Sequence, residues 1–190
     1  NKNVTDTTRI EACIETIEKV IELGGSCVLL SHLGRPKGKD KNLSLKLIVE
    51  TVSTVLKKPV LFHEDCIGSD AEKAVSLLSQ GQIILMENLR FYEEETAGDI
   101  DFSKSLSKLG DVYINDAFGT CHREHASTAV IAKYFKGKKY AGKLLQKELL
   151  WNHLLLLLIL TNHLLFFYEY FLASLLNHLL PGLYTKLVPV

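Results

Sequence analysis

The chain has 190 residues, with 22 basic and 22 acidic side chains and no formal net charge. This balance argues against a general nucleic-acid-binding protein, which carries an excess of Lys and Arg. The average conceals a division, because residues 151–190 contain Glu169 and Lys186 as their only charged side chains. We therefore expect a charged α/β domain over residues 1–150 and an apolar, Leu-rich, helical tail over residues 151–190.

The first predicted helix ends at a Gly-Gly pair at 24–25, which is a natural helix stop. Thr8 and Glu11 have capping-box spacing at its start, and isoleucines recur at helical spacing behind them. The isoleucines are Ile10, Ile14, Ile17 and Ile21. A short apolar run at 27–30 predicts the first buried strand, and a second helix is expected over 42–57.

The next elements continue the alternation of helices and strands. A strand is predicted over 60–62, and Ser69 and Glu72 have capping-box spacing ahead of a helix near 70–79. The apolar run at 83–86 predicts the third strand. Each of these strands is an unbroken apolar run, which is typical of a parallel sheet covered on both faces.

The fourth predicted strand, at 112–114, follows a charged helix near 101–109. The acidic run at 93–95 is interpreted as a solvated loop. Helices and strands thus alternate along residues 1–150. The sequence therefore predicts an α/β fold with a parallel sheet flanked by helices.

Possible metal ligands are scattered along the chain. The four cysteines are Cys13, Cys27, Cys66 and Cys121. They show no CxxC spacing, so we expect free thiols in a reducing cytosol rather than a zinc cluster. His122 and His125 have HxxH spacing, which leaves metal binding open as an alternative, but no carboxylate in a fitting motif accompanies them. We expect no metal site in this chain.

The first residues of the sequence give an expectation for the cellular compartment of the protein. Residues 1–10 lack the apolar run of a secretory signal and do not begin with Met, so we expect the chain to start inside a longer sequence. A cytoplasmic protein is the expectation. A plastid form is the alternative, because a transit peptide would precede residue 1.

Basic side chains follow several of the predicted strands. The carboxyl ends of parallel strands meet at one edge of a sheet, where open α/β folds bind ligands. Guanidinium groups offer planar pairs of donors that match carboxylate and phosphate oxygens. The edge therefore predicts a site for a small, multiply anionic ligand. The residues concerned are His32, Arg35, Arg90, His122 and Arg123.

Several longer motifs, in fixed order, closely resemble the amino-terminal domain of phosphoglycerate kinase. They are SHLGRP at 31–36, ENLRF at 87–91 and NDAFGTCHR at 115–123. Residues 5–10 match the family segment before its first long helix, and residues 143–149 match the segment that leads toward the second domain. The resemblance covers residues 3–150.

The resemblance implies a Rossmann-like domain of a two-domain glycolytic enzyme. The family transfers a phosphoryl group reversibly between 1,3-bisphosphoglycerate and ADP, with magnesium. Its amino-terminal domain binds 3-phosphoglycerate in a basic patch, and its carboxy-terminal domain binds Mg-ATP or Mg-ADP. Carried over by position, Arg9 would stabilise charge on the transferring phosphoryl group. The residues that would bind the substrate are Arg9, His32, Leu33, Gly34, Arg35, Arg90, His122 and Arg123.

The sequence departs from the family pattern at three places. The family's opening strand and its Asp-Phe-Asn turn have no counterpart here, and we expect their loss to leave neighbouring strands with unpaired backbone groups. No Gly-Gly-Ala-Lys-like nucleotide motif occurs, so we expect no nucleotide site in this chain. Residues 151–190 resemble nothing in the family, and we interpret them as unrelated sequence fused to a truncated gene.

The tail leaves two structural alternatives to fused sequence. Residues 149–168 form a 20-residue stretch without Asp, Glu, Lys or Arg. This length is sufficient for a helix that spans a bilayer. Asn152 and His163 are among the polar residues that interrupt it, and such side chains are costly inside lipid. A membrane span and a core-packed helical hairpin remain open.

Three functions are compatible with the sequence. The first is an enzyme of the phosphoglycerate kinase family. The second is a non-catalytic module that binds 3-phosphoglycerate or another small anion, and the third is a membrane-tethered or non-functional gene remnant. The missing nucleotide motifs favour the second and third for this polypeptide alone, whereas the family motifs favour the first for its ancestry. We expect a monomer that does not transfer phosphate from ATP by itself.

Overall fold

The structure is a computed structural model that describes residues 4, 6–117, 119 and 123–151. Its strands are β1 (Cys27–Leu29), β2 (Val60–His63), β3 (Ile83–Met86), β4 (Tyr113–Asn115) and β5 (Lys139–Ala141). Its α-helices are α1 (Thr8–Glu11), α2 (Ile14–Glu22), α3 (Val49–Leu56), α4 (Ser69–Ser76), α5 (Glu93–Ala97) and α6 (Ile100–Ser107). Shorter 3-10 and π-helical turns are Lys41–Leu43, Leu45–Ile48, Leu89–Phe91, Ala126–Val130 and Ile131–Lys133. Residues 143–151 are also helical.

The central sheet is parallel, with β3 between β1 and β2. All four residues of β3 are buried. They alternate between two hydrophobic cores, with Ile83 and Leu85 in one and Ile84 and Met86 in the other. A strand with both faces in a core must be apolar at every position. The predicted parallel sheet, flanked by helices, is therefore confirmed.

Helices cover both faces of this sheet. On one face, α2 and α3 contribute Ile17 and Val52 to the core. On the other, α4 and α6 contribute Ala71, Phe102 and Leu106. Burial of each large apolar side chain stabilises the fold by about 1.5–3 kcal/mol. Packing against these two cores restrains β3 on both faces. The residues that directly follow β3 are attached to this restrained strand.

The strands β4 and β5 form a second parallel ladder, in which Tyr113 pairs with Lys139. This arrangement differs from the prediction that the fourth strand ends on the same sheet edge as the first three. Within the part of the chain that the structure describes, no strand hydrogen-bonds to both β1 and β4. The loop after β4 is held instead by Asp116, whose Oδ2 accepts a hydrogen bond from Thr16 Oγ1 of α2 at 2.5 Å.

Both predicted capping boxes are wrong. Thr8 is the first residue of α1, and its backbone N–H donates to Asp6 Oδ1 at 2.9 Å. Ser69 is the first residue of α4, and Gly68 precedes it at φ 96° without a side-chain cap. An N-cap residue lies just outside the helix in an extended conformation. Each helix begins one residue earlier than expected, which places the predicted cap inside it.

The helix expected over 42–57 begins later, because two 3-10 turns precede α3. The Asp40 carboxylate accepts a hydrogen bond from the backbone N–H of Asn42 at 2.9 Å. The Ser44 hydroxyl accepts one from the backbone N–H of Lys46 at 3.2 Å. Such local side-chain bonds compete with a continuous helix. The segment therefore forms separate turns before the α-helix starts.

The acidic run at 93–95 belongs to α5, and its interpretation as a solvated loop is wrong. Glu95 is only 3% exposed. Its carboxylate accepts hydrogen bonds from the backbone N–H of Ser127 at 3.0 Å and from the Ser127 hydroxyl at 2.6 Å. A charge can be buried where hydrogen bonds satisfy it. The composition of the run contains no sign of this distant partner.

The chain divides into two compact units, Asn1–Gln146 and Lys147–Val190. Of the second unit, the structure describes residues 147–151, which are helical. The predicted tail and most of the apolar stretch at 149–168 lie outside the described residues, and the predicted domain boundary stays a prediction. None of the described helices combines the length and apolar character needed to cross a membrane.

Candidate functional site

Residues 31–35, which we call the β1 loop, are held against the residues that follow β3. Since β3 is the buried central strand, these contacts tie the loop to the best-packed part of the sheet. Three hydrogen bonds make the connection. They run from Leu89 N to Ser31 O at 3.1 Å, from Asn88 Nδ2 to Leu33 O at 2.8 Å, and from Arg90 Nη1 to Gly34 O at 2.8 Å.

Gly34 allows the β1 loop to approach its neighbour closely. Its φ of +67° is a conformation that other residues rarely adopt. A Cβ atom at this position would lie 3.0 Å from Leu43 Cδ2. Both the backbone conformation and the close packing against Leu43 therefore favour glycine at this position of the SHLGRP motif.

His32 is partly buried in the β1 loop and lies among other basic groups. Burial is the largest cause that lowers the pKa of its imidazole from 6.5 to about 4. Repulsion from Arg90, His125, Arg9 and Arg123 lowers this pKa further. His32 is therefore neutral near pH 7. A neutral imidazole offers one N–H donor and one acceptor nitrogen.

Arg90 is the most enclosed of the arginines near His32. Burial lowers the pKa of its guanidinium, and Arg123 and Arg35 lower it further, whereas Glu95 acts in the opposite direction. Its Nε atom is buried and has no hydrogen-bond partner among the described residues. An unsatisfied buried donor costs about 1–3 kcal/mol. The surroundings of Arg90 therefore favour an added acceptor.

The electrostatic effects on His32 and Arg90 identify a group of basic side chains at the carboxyl end of the central sheet. We call this group the basic cluster: Arg9, His32, Arg35, Arg90, Arg123 and His125. Leu33 and Gly34 lie in the β1 loop beside it. His122 lies outside the described residues. The structure thus brings the other predicted Arg and His residues together, and their contact with a ligand stays a prediction.

Two residues of this region are not predicted as part of the anion site by the sequence patterns. Glu95 Oε1 lies 3.9 Å from Nδ1 of His125, and both side chains are largely buried, at 4% and 12% exposure. The HxxH spacing of His125 with His122 points only to a metal site. The place of His125 two residues after Arg123, in the segment that follows a strand, is the signal that could have assigned it to the anion site. No sequence signal pointed to Glu95.

Metal-binding groups are sparse in the described part of the chain. It contains no group of three or more His, Cys, Asp or Glu side chains that could hold a metal ion. Cys13, Cys27 and Cys66 are free thiols. Burial raises the pKa of each of them, to about 11, 11 and 12 respectively. These thiols are therefore protonated near pH 7 and are poor ligands.

A cavity of about 600 Å³ lies at the carboxyl end of β2 and is a second place for a ligand. Its lining includes three carboxylates, Glu64, Asp65 and Asp70. Lys46 and Lys39 pair with Glu64 and Asp65 at 2.9 and 3.0 Å. No Lys or Arg is among the described residues that line the cavity, so it lacks the cationic donors that a multiply anionic ligand requires. The basic cluster is therefore the candidate site.

The described fold and cluster agree with what comparison with known proteins finds. The sequence model of the family described as "Phosphoglycerate kinase" matches residues 1–156. A phosphoglycerate kinase of Chlorobium limicola is 48% identical over 151 residues, which cover 79% of this chain and 38% of that protein. A protein of Arabidopsis thaliana described as "Phosphoglycerate kinase 2, chloroplastic" is 49% identical over 149 residues, which cover 78% of this chain and 31% of that protein.

Solved structures show the same fold. The structure of phosphoglycerate kinase from Coxiella burnetii matches with a TM-score of 0.68 and 35% sequence identity, over 78% of this chain and 37% of that one. The chain therefore spans well under half the length of the relatives it matches. Because the family model matches most of the sequence and the fold is shared, this chain belongs to the phosphoglycerate kinase family.

Proposed function

We propose that the basic cluster binds a small phosphorylated carboxylic acid, 3-phosphoglycerate or the matching part of 1,3-bisphosphoglycerate. The observation that carries this proposal is the gathering of basic groups around His32, which helps hold its pKa at about 4. Like charges that face one another disfavour the charged form. A bound anion relieves this repulsion, and guanidinium groups match phosphate and carboxylate oxygens in pairs.

The proposed ligand contacts include both side chains and the loop backbone. The arginines supply charge and paired donors, His32 supplies a neutral imidazole, and Leu33 and Gly34 supply backbone groups of the β1 loop. The full set is the one that the family resemblance implies: Arg9, His32, Leu33, Gly34, Arg35, Arg90, His122 and Arg123.

We further propose that the chain is part of an enzyme that transfers a phosphoryl group reversibly between 1,3-bisphosphoglycerate and ADP, giving 3-phosphoglycerate and ATP. Support comes from the family, although the chain spans only 38% of its Chlorobium limicola relative. Phosphoryl transfer requires mainly positioning and positive charge, and a carboxylate acceptor needs no general base. The cluster offers positive charge, and Arg9 is proposed to stabilise the transferring group.

The sequence contains no Gly-Gly-Ala-Lys-like nucleotide motif. The described residues also contain no group of three or more His, Cys, Asp or Glu side chains that could hold a metal ion. We therefore propose that the nucleotide and Mg²⁺ bind outside the described residues. On this proposal, the 190-residue polypeptide alone binds the substrate but does not transfer phosphate.

The proposed setting of this function follows the family. We propose a monomer of the cytoplasm, where glycolysis takes place. A plastid form is the alternative, since the Arabidopsis thaliana relative is described as chloroplastic.

Calorimetric titration of the 190-residue chain with 3-phosphoglycerate tests the binding proposal. We expect binding that weakens as salt increases, because ions screen charged contacts. Arg35→Ala should weaken binding by about tenfold, through loss of one charge-assisted pair. Lys73→Ala removes an exposed cation of α4 that is not part of the cluster, and it should leave affinity unchanged. Absence of binding heat at millimolar ligand would overturn the proposal.

A coupled assay with ATP and 3-phosphoglycerate tests the proposed lack of turnover. We expect no rate above that of the buffer. Turnover that disappears in Arg9→Ala would contradict the proposal, since it would show that the polypeptide carries a complete catalytic site.

A further inference from the structure

We propose that Asn88 is a positioning residue that sets the spacing between the β1 loop and Arg90 and so preorganises the basic cluster before a ligand binds. This inference rests on the proposed anion-binding function. It assigns a role to a residue that is not itself a proposed ligand contact.

Asn88 is polar, yet its side chain is completely buried, at 0% exposure. Its Nδ2 donates to the carbonyl oxygens of Leu33 and Leu43, both at 2.8 Å. Its Oδ1 accepts a hydrogen bond from the backbone N–H of Arg90 at 3.0 Å. One amide therefore joins the β1 loop, the 3-10 turn at Lys41–Leu43 and the turn that follows β3.

The preceding residue, Glu87, fixes the backbone from which Asn88 projects. Glu87 Oε1 accepts hydrogen bonds from the backbone N–H of Asn88 at 2.7 Å and of Leu45 at 2.8 Å. Its Oε2 accepts one from the Ser44 hydroxyl at 2.6 Å. Because β3 is packed between two cores, the backbone that precedes Asn88 is held in place on both faces of the sheet.

The chemistry of an amide suits this position better than that of a carboxylate. The two carbonyl oxygens of Leu33 and Leu43 require donors, which a carboxylate lacks. An amide is also neutral, so it joins segments that carry mutually repelling basic groups without cancelling the charge that a bound anion requires. Arg90 adds a second side-chain bond between this turn and the β1 loop, because its Nη1 donates to Gly34 O at 2.8 Å.

Loss of Asn88 should therefore release the β1 loop from Arg90. The loop has no helix or strand of its own, and two of the three bonds that hold it to this turn come from the side chains of Asn88 and Arg90. Repulsion between Arg90 and Arg35, the cation that the β1 loop carries, would then move the loop, and His32 with it, away from Arg90. The expected result is a more solvated His32 and a site that must be reordered by the ligand.

The test compares two uncharged variants, Asn88→Ala and Asn88→Ser, with Ile83→Val at the opposite end of β3. Calorimetry with 3-phosphoglycerate measures affinity, and NMR of the ligand-free chain measures the pKa of His32. We expect about tenfold weaker binding in Asn88→Ala, with Asn88→Ser intermediate, because a hydroxyl replaces only part of the lost bonding. The pKa of His32 should rise from about 4 toward 6.5 in both variants. Ile83→Val, which perturbs the core alone, should change neither value.

The two readouts separate this inference from the proposed function. If the unchanged chain does not bind 3-phosphoglycerate, the proposed function fails, while the pKa of His32 still tests the role of Asn88. A folded Asn88→Ala variant that retains both the affinity and the pKa of the unchanged chain overturns the inference. If neither variant folds, hydrogen exchange in the unchanged chain decides: slow exchange of the Asn88 side-chain amide supports the inference, and rapid exchange overturns it.

Discussion

Arg90 is bonded to the β1 loop through its guanidinium, whose Nη1 donates to the carbonyl oxygen of Gly34 at 2.8 Å. An arginine proposed to bind the substrate is therefore also a cross-link between two segments of the site. A guanidinium has five N–H donors in a planar arrangement. One of them can hold the loop while others face a ligand.

Because Arg90 is proposed both to hold the β1 loop and to bind the ligand, Arg90→Lys should weaken ligand binding strongly although it preserves the charge. A single ammonium group on a flexible stem does not reproduce the planar set of donors. We expect the affinity for 3-phosphoglycerate to fall by about tenfold or more, measured by calorimetry. Arg35→Lys, at an exposed position of the same loop, should cost less. Equal affinities for Arg90→Lys and the unchanged chain would contradict the double role.

The environment of His32 predicts a loss of stability in acid. Burial, followed by repulsion from Arg90, holds its pKa at about 4 in the folded chain against an ordinary 6.5. The unfolded chain therefore binds this proton at higher pH than the folded chain. The free energy of unfolding should fall as the pH decreases from 6.5 toward 4.

Urea denaturation of the unchanged chain and of His32→Gln across this pH range measures the effect. The Gln variant cannot take up the proton, so its stability should depend less steeply on pH between 6.5 and 4. Parallel pH profiles for the two proteins would show that His32 does not titrate as its environment predicts.

The buried carboxylate of Glu95 predicts a stability difference between two adjacent residues. The two Ser127 donors bond to different oxygens of Glu95, and Glu95→Gln replaces one of these oxygens with an N–H₂ group that cannot accept a hydrogen bond. We expect a loss of about 1–3 kcal/mol in the free energy of unfolding, measured by chemical denaturation. Glu94→Gln, on the exposed side of α5, is the matched control and should change stability little. A similar loss in both variants would contradict this account.

Two glycines with positive φ predict a difference in stability between their Ala variants. Gly98 and Gly137 have similar φ angles, +67° and +72°, so Ala should cost about 1 kcal/mol at either position from backbone strain. At Gly98 an added Cβ would also clash with Glu124 O, whereas nothing lies within 4 Å of it at Gly137.

Gly98→Ala should therefore destabilise the chain more than Gly137→Ala in urea denaturation. It should also weaken binding of 3-phosphoglycerate, because Glu124 lies beside two members of the basic cluster, Arg123 and His125. Equal stability of the two variants would show that the Glu124 backbone moves away without cost.

The predicted strands were accurate because buried parallel strands carry their signal locally. The run at 83–86 coincides with β3, whose residues all enter a core. The starts of helices were less predictable, because a Ser or Thr near a helix can lie at the cap or one residue inside it. The ladder of β4 and β5 was not predicted, since Lys139–Ala141 contains no apolar run.

The sequence by itself determined the α/β pattern, the family and the arginines worth considering, because all three depend on short runs of residues and their order. Only the tertiary structure decided that Glu95 is buried against Ser127 and that Asn88 joins the β1 loop to Arg90. These contacts link residues 32 and 55 positions apart. Chain folding brings such residues together through packing of whole elements, and no local pattern of residue types records that proximity.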